Sequence, residues 1–255
     1  GGKDQPAPGP TTTVSGVAAT GLAIAAATVT LVDASGTTVD PAAVTTGADG
    51  SFSIDASGLV APFSLRVVFT QDGVQRTLYS VLPTATAGAA NTANITPLTD
   101  AVAVLVAPGG NPAALTDPAA LSSALSGANA NAFTNAVASL VAVLNSDPVI
   151  AAALAAAAGS GTAYNPVTTP FTANGGGVDA VLDQITVTTN PSDAPAGTVT
   201  IQNNAQAATG GGVAPAATLT PATTPATAPT LPPTAADLPT AAELDAVAAR
   251  WTACY

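Results

Sequence analysis

Between Val14 and Leu82 apolar residues alternate with Thr, Ser or Arg in short runs: Val14-Ser-Gly-Val17, Ala27-Thr-Val-Thr-Leu-Val32, Asp49-Gly-Ser-Phe-Ser-Ile54, Phe63-Ser-Leu-Arg-Val67 and Tyr79-Ser-Val-Leu82. A period of two puts one side of each run in a core and the other in water, so each run predicts a half-buried strand. Ser35-Gly36 marks a turn, and Asp49-Gly50 is the kind of dipeptide that closes a tight hairpin. Phe52, Phe63 and Phe69 fall on the alternation and are expected in the core. The reading is a small antiparallel β-sandwich over residues 14–95, preceded by a Gly/Pro/Thr leader over residues 1–13.

The period then changes. Thr96-Pro97 is a helix start, with Thr as N-cap and Pro at the first helical position. Leu98, Val102 and Leu105 follow at helical spacing, and Pro108-Gly-Gly ends the pattern. A second helix is expected at Asp117-Pro118. A third carries Phe133, Val137, Leu140, Val141 and Leu144 on one face, and Val149 to Ala158 predicts a short Ala-rich helix stopped by Gly159-Ser-Gly161. Residues 96–160 therefore read as a helical segment laid against the sandwich as a small layer or bundle.

Residues 161–206 mix both signals: a short helix around Asp179-Ala-Val-Leu-Asp183, then Ile185-Thr-Val-Thr-Thr189 and Thr198-Val-Thr-Ile-Gln202 as the arms of a hairpin. Residues 207–239 are a Thr/Ala/Pro tract with Pro221, Pro225, Pro229 and Pro233 at a spacing of four. Proline at that density favours an extended polyproline stalk, which needs neighbouring protein to hold it in one place. Residues 240–255 predict a last helix: Thr240-Ala-Ala-Glu243 is a capping box, and Leu244, Val247, Ala248 and Trp251 form its apolar face, with Tyr255 one turn on. A helix of about a dozen residues is marginal alone in water, so Leu244, Val247, Trp251 and Tyr255 are read as a docking or assembly face. The class is α+β: an antiparallel Ig/transthyretin-like β-sandwich, a small helical layer, a late β-hairpin, and a Pro/Thr/Ala-rich extended tract ending in a short helix.

Val14-x-Gly16, Ala27-Thr-Val-Thr-Leu31 and Thr46-Gly-Ala-Asp-Gly-Ser-Phe-Ser-Ile54 resemble the carboxypeptidase regulatory-like, or transthyretin-like, module of bacterial surface proteins. The resemblance covers about a third of the chain and implies a β-sandwich without assigning an activity. The chain departs from that pattern at Gly21-Leu-Ala, where the family often has Gly-x-Pro, and has no acidic residue just ahead of Asp49-Gly50. Phe171 to Asp183, with its Gly-rich turn, resembles a segment of bacterial secreted lipoproteins, and the resemblance implies a polypeptide continuing past Trp251-Thr-Ala-Cys254. The Gly1–Pro10 leader admits two readings: the tether after the lipid-modified Cys of a lipoprotein, with a lipid anchor ahead of Gly1, or an ordinary N-terminal leader.

Charge narrows the partners. Four cationic residues stand against fifteen acidic ones, a net charge of -11, so binding through clustered Lys and Arg to nucleic acid or an anionic membrane is excluded. Only 7% of residues are charged, and the surface must be carried by Thr, Ser, Asn and Gln, as in extracellular and cell-wall proteins. Val149 to Ala158 is the longest apolar run and falls short of the roughly 20 residues of a membrane span.

Candidate chemistry is sparse. Without His there is no Ser-His-Asp or Cys-His triad and no His-bearing zinc site. The Gly175–Gly177 and Gly210–Gly212 runs lack the Lys-Ser/Thr of a phosphate loop. Cys254 is the one thiol, expected to be free, paired between chains, or separated from a partner beyond this sequence. Asp179 and Asp183, four apart on a helix, could act as a glycosidase pair, although Asp near a helix start is favoured by the dipole alone. With Asp193 they are also the calcium candidates, without an Asp-x-Asp-x-Asp-Gly loop. No catalytic residue or cofactor is assigned. The expected role is a non-enzymatic, secreted or cell-surface structural protein, binding further copies of itself in a homo-oligomer or filament, or another surface protein or a glycan. A surface binding module using sandwich loops is the alternative.

Overall fold

Alternation becomes strand at each predicted run. The computed structural model describes residues 2, 9–39, 44–190, 197–205 and 216–232. Over them lie β1 (Thr13–Val17), β2 (Thr28–Val32), β3 (Ser51–Asp55), β4 (Phe63–Gln71), β5 (Val74–Leu82), β6 (Ala90–Thr92), β7 (Ile185–Asn190), β8 (Thr198–Asn203) and β9 (Ala216–Leu219). The helices are α1 (Pro97–Val106), α2 (Pro118–Ala124), α3 (Ala132–Asn145), α4 (Pro148–Ala158) and α5 (Gly177–Gln184). The class is α+β, with three three-stranded sheets ordered β3-β1-β6, β2-β4-β5 and β7-β8-β9.

In the first sheet β1 pairs antiparallel with β3 and parallel with β6. The fourth residue of β1 must be glycine: a Cβ on Gly16 would lie 2.1 Å from the Ala93 carbonyl oxygen. β3 keeps strict alternation, with Phe52 and Ile54 buried between exposed Ser51, Ser53 and Asp55. Asp49-Gly50 does turn the chain, with the Gly50 N–H donating to the Gly47 carbonyl, but it hands the chain from a segment bonded to Ala27 over to β3. The two-residue hairpin lies elsewhere. Asp72 and Gly73, at φ +52° and +78°, join β4 to β5, the double left-handed geometry that matches strand twist.

The helices predicted between residues 96 and 184 form, and the starts of α1 and α2 have the predicted chemistry, whereas the helix predicted over 240–255 lies outside the described residues. Thr96 caps α1 and exchanges side-chain and backbone bonds with Thr99. Asp117 caps α2, and Gly159 ends α4 at φ +82°. α1 is buried from Leu98 through Leu105, as a helix apolar on all sides must be. It packs against β5, α3, β7 and β8 and so joins the second sheet to the third.

Part of the Thr/Ala/Pro tract behaves differently from the expected stalk. Ala216-Ala-Thr-Leu219 contains no proline, alternates, and adds a third strand to the hairpin, with Ala217 and Leu219 buried. Asn135 Nδ2 and Ser139 Oγ on α3 then donate to the Thr223 carbonyl at 3.1 and 3.2 Å. The Leu231 N–H donates to Ser146 Oγ at 2.8 Å. Over residues 216–232 the chain lies on its own body, with Pro221 in a turn and Pro225 opening a short 3-10 turn. The buried apolar residues form one cluster from Val14 to Leu231. Among the described residues no helix is long and apolar enough to cross a membrane.

Candidate functional site

Among the described residues most carboxylates are engaged by backbone. Asp33, fully buried at the end of β2, accepts from the N–H groups of Thr37 at 2.7 Å and Val60 at 3.0 Å and from the Ser35 hydroxyl. Burial pushes its carboxyl up, but the bonds from Val60, Ser35 and Thr37 outweigh this and hold it below the usual range. Asp147, also fully buried, caps α4 by accepting from Val149 and Ile150, while its other oxygen accepts from Asn203 Nδ2 at 3.0 Å. Asn203 sits at an inward position of β8 where an apolar residue would be expected, and Nδ2 also donates to the Pro232 carbonyl. On the surface, Asp49 and Asp55 are held low by the hydroxyls and N–H groups of Ser51 and Ser57.

Asp100 is the perturbed group. Burial pushes its carboxyl up to about 6, against the N–H of Tyr79, the Thr189 side chain and the charge of Arg76, which lower it. Thr99 Oγ1 donates to the Tyr79 carbonyl at 2.8 Å, so two adjacent α1 side chains satisfy both backbone groups of one β5 residue. β5 is an edge strand, and this is one means of blocking an edge.

Asp179 and Asp183 lie on α5, but in different surroundings. Asp179 is buried and accepts from the Gly175 N–H at 2.7 Å through Oδ2, leaving Oδ1 without a partner. Asp183 is exposed, and its Oδ1 lies so close to Gly21 that a Cβ there would be 2.2 Å away. One therefore organises the Gly-rich turn and the other borders the 20–23 loop. Among the described residues no group of three or more His, Cys, Asp or Glu is placed to hold a metal ion. Asp193, the expected docking face of Leu244, Val247, Trp251 and Tyr255, and Cys254 lie outside the described residues.

The described residues also form two surface clefts. A cleft of about 480 Å³ opens between residues 20–28 and the Val68–Gln71 end of β4. Its cause is local. β2 pairs with β4 only as far as Thr28↔Val68, because Ala26 takes φ +51° and its N–H turns aside to the Thr46 carbonyl. The walls carry Thr20, Thr28, Thr70, Gln71 and Phe69, whose ring lies 5.6 Å beneath the Arg76 guanidinium. Phe69 was expected in the core and is only partly buried, since the outer half of the β4/β5 hairpin projects past β2. Leu22, 74% exposed, lines this cleft, and Val74, 62% exposed, is the ladder partner of Gln71 on its rim. A second groove of about 450 Å³ runs along α3, lined by Phe133, Val137, Val141 and Tyr164. Burial holds the Tyr164 phenol above its usual range.

α4 starts one residue ahead of the predicted Val149, at Asp147-Pro148, an N-cap and first-position proline legible in the sequence. Asp100 and Asn203 gave no such signal, since both owe their roles to elements distant in sequence. Comparison with protein-family models, with curated proteins and with solved structures gives no match.

Proposed function

We propose that this chain is a non-enzymatic extracellular structural protein, anchored at a cell surface or self-assembling as a subunit of a filament or matrix. An Ig- or transthyretin-like β-sandwich, made from the first two sheets, would be its framework. The observation that carries this reading is the employment of the buried carboxylates. Asp33, Asp100, Asp147 and Asp179 each accept from a backbone N–H of a loop, strand edge or helix start. A carboxylate used this way fixes shape, and a Thr- and Ala-rich exterior of few charges suits close packing of one copy on another. Leu22 and Val74, large apolar side chains left in water around one cleft, are the contact residues in this reading. Electron microscopy and light scattering on secreted material test it. Ordered or concentration-dependent assemblies are expected, and a strictly monomeric particle at high concentration defeats it.

A second reading has its own observation. The cleft beside Leu22 presents threonine hydroxyls, the Gln71 amide and the Phe69 ring, which is the polar-plus-aromatic mixture that suits a sugar or an extended peptide. In that reading the chain is an adhesion module. A glycan array and a pull-down from surface extracts test it, and silence in both removes it. A carboxylate glycosidase finds no favouring observation, because Asp179 and Asp183 line neither of the two clefts.

A further inference from the structure

We infer that Asn174-Gly175 is a self-modification site, at which Asp179 is the base for deamidation through a cyclic imide. It is the one Asn-Gly pair in the sequence. Closing the imide ring brings the backbone nitrogen of the following residue onto the Asn side-chain carbonyl carbon, and a glycine there puts no Cβ in the way. Gly175 sits at φ +84° with open space where a Cβ would be, and residues 174–177 are exposed to the water that the later step consumes.

The turn holds each reacting group against a suitable partner. The Gly175 N–H, whose nitrogen is the nucleophile, donates to Asp179 Oδ2 at 2.7 Å. Asn174 Oδ1, on the carbon to be attacked, accepts from the Gly176 N–H at 3.0 Å, a donor placed where negative charge develops. Asp179 is only 2% exposed, and its Oδ1 has no hydrogen-bond partner. As the bond from Gly175 N to Asn174 Cγ forms, the Gly175 proton passes to Asp179. The tetrahedral centre then collapses and the Cγ–Nδ2 bond breaks. The departing nitrogen takes that proton back from Asp179 and leaves as ammonia. Water opens the imide at either carbonyl, leaving an aspartyl or isoaspartyl residue at position 174, and nothing is oxidised or reduced. Holding the turn and taking the proton use the same contact, so this inference is independent of any assembly role. The imide has no N–H to offer Asp179, and its opening adds a second carboxylate to the turn, so the start of α5 loosens once the reaction has run.

The full chain is incubated at neutral pH, folded or unfolded in urea, and position 174 is followed by peptide mapping with mass spectrometry and by enzymatic methylation of isoaspartate. The folded chain should convert about tenfold faster than the unfolded one, or more, because only the fold brings Asp179 to Gly175. Asp179→Asn keeps an acceptor of the same shape that cannot take the proton, and should slow the folded chain at least to the unfolded rate. Asn174→Gln should abolish the conversion. The comparison of folded with unfolded chain stands whether or not Asp179→Asn folds. If the contact only restrains the turn, the signs reverse: the folded chain converts more slowly than the unfolded one, and Asp179→Asn speeds it. Either of those results, a rate unmoved by Asp179→Asn in a folded variant, or conversion persisting in Asn174→Gln would overturn the inference.

Discussion

The backbone N–H of Tyr79 donates to Asp100 Oδ1 at 3.0 Å, tying the edge of β5 to the first turn of α1. The same carboxyl takes a hydrogen bond from the Thr189 side chain on β7, so one buried group lies where two sheets and the central helix meet. Its position makes it the point at which pH acts on the fold.

The sign follows from burial. Asp100 ionises near 4 when unfolded and at about 6 when folded. Between those values the folded chain keeps a proton that the unfolded chain has lost. Its contribution is therefore complete below about pH 4 and is lost as pH rises through about 6, a change of roughly 3 kcal/mol for a shift of about two units. Asp33, held low, acts in the opposite sense, and its contribution is lost as pH falls below the usual carboxylate range. Urea midpoints measured across pH should fall between about pH 4 and pH 6. Asp100→Asn should flatten that slope and equal or exceed the unaltered chain at pH 7.

Asp147→Ala removes a helix cap and takes from the buried Asn203 amide one of its two acceptors, the other being the Pro232 carbonyl. The cap is worth about 1 kcal/mol and the loss of the acceptor for one buried amide N–H a further ~1–3 kcal/mol. A loss of about 2–4 kcal/mol in urea unfolding is expected, well above the effect of Asp117→Ala at the exposed cap of α2. Equal losses at the two sites would contradict the role given to the Asp147–Asn203 contact.

Two glycines separate close approach from conformation. Gly16→Ala forces a methyl onto the Ala93 carbonyl in the middle of a sheet and should cost more than about 2 kcal/mol, or prevent folding. Gly73→Asn adds a side chain into open space at a left-handed position that Asn tolerates, and should cost a few tenths of a kcal/mol. Thermal unfolding of both variants checks the contrast.

Much of this architecture was legible because local chemistry repeats it. Thr96-Pro97 announced α1, the spacing of Phe133, Val137 and Leu140 gave α3, and the alternation of Thr198-Val-Thr-Ile gave β8. What was missed depends on partners far along the chain. β6 is three residues long and strand-like only beside β1, and β9 is hidden in a proline-rich tract until β8 offers it a ladder. The cleft escaped notice for the same reason. It exists because Ala26 leaves the β2 ladder for Thr46, and nothing in a run of alanines signals that departure.

In the proposal that this protein works by contact, the exposed pair Leu22 and Val74 supplies the contact residues. Light scattering across a concentration series, on the unaltered chain and on Leu22→Ser/Val74→Ser, tests it most directly. Association that rises with concentration and falls several-fold in the double variant, with unfolding midpoints unchanged, is the predicted result. A monomer at every concentration, or assembly indifferent to both substitutions, would contradict it.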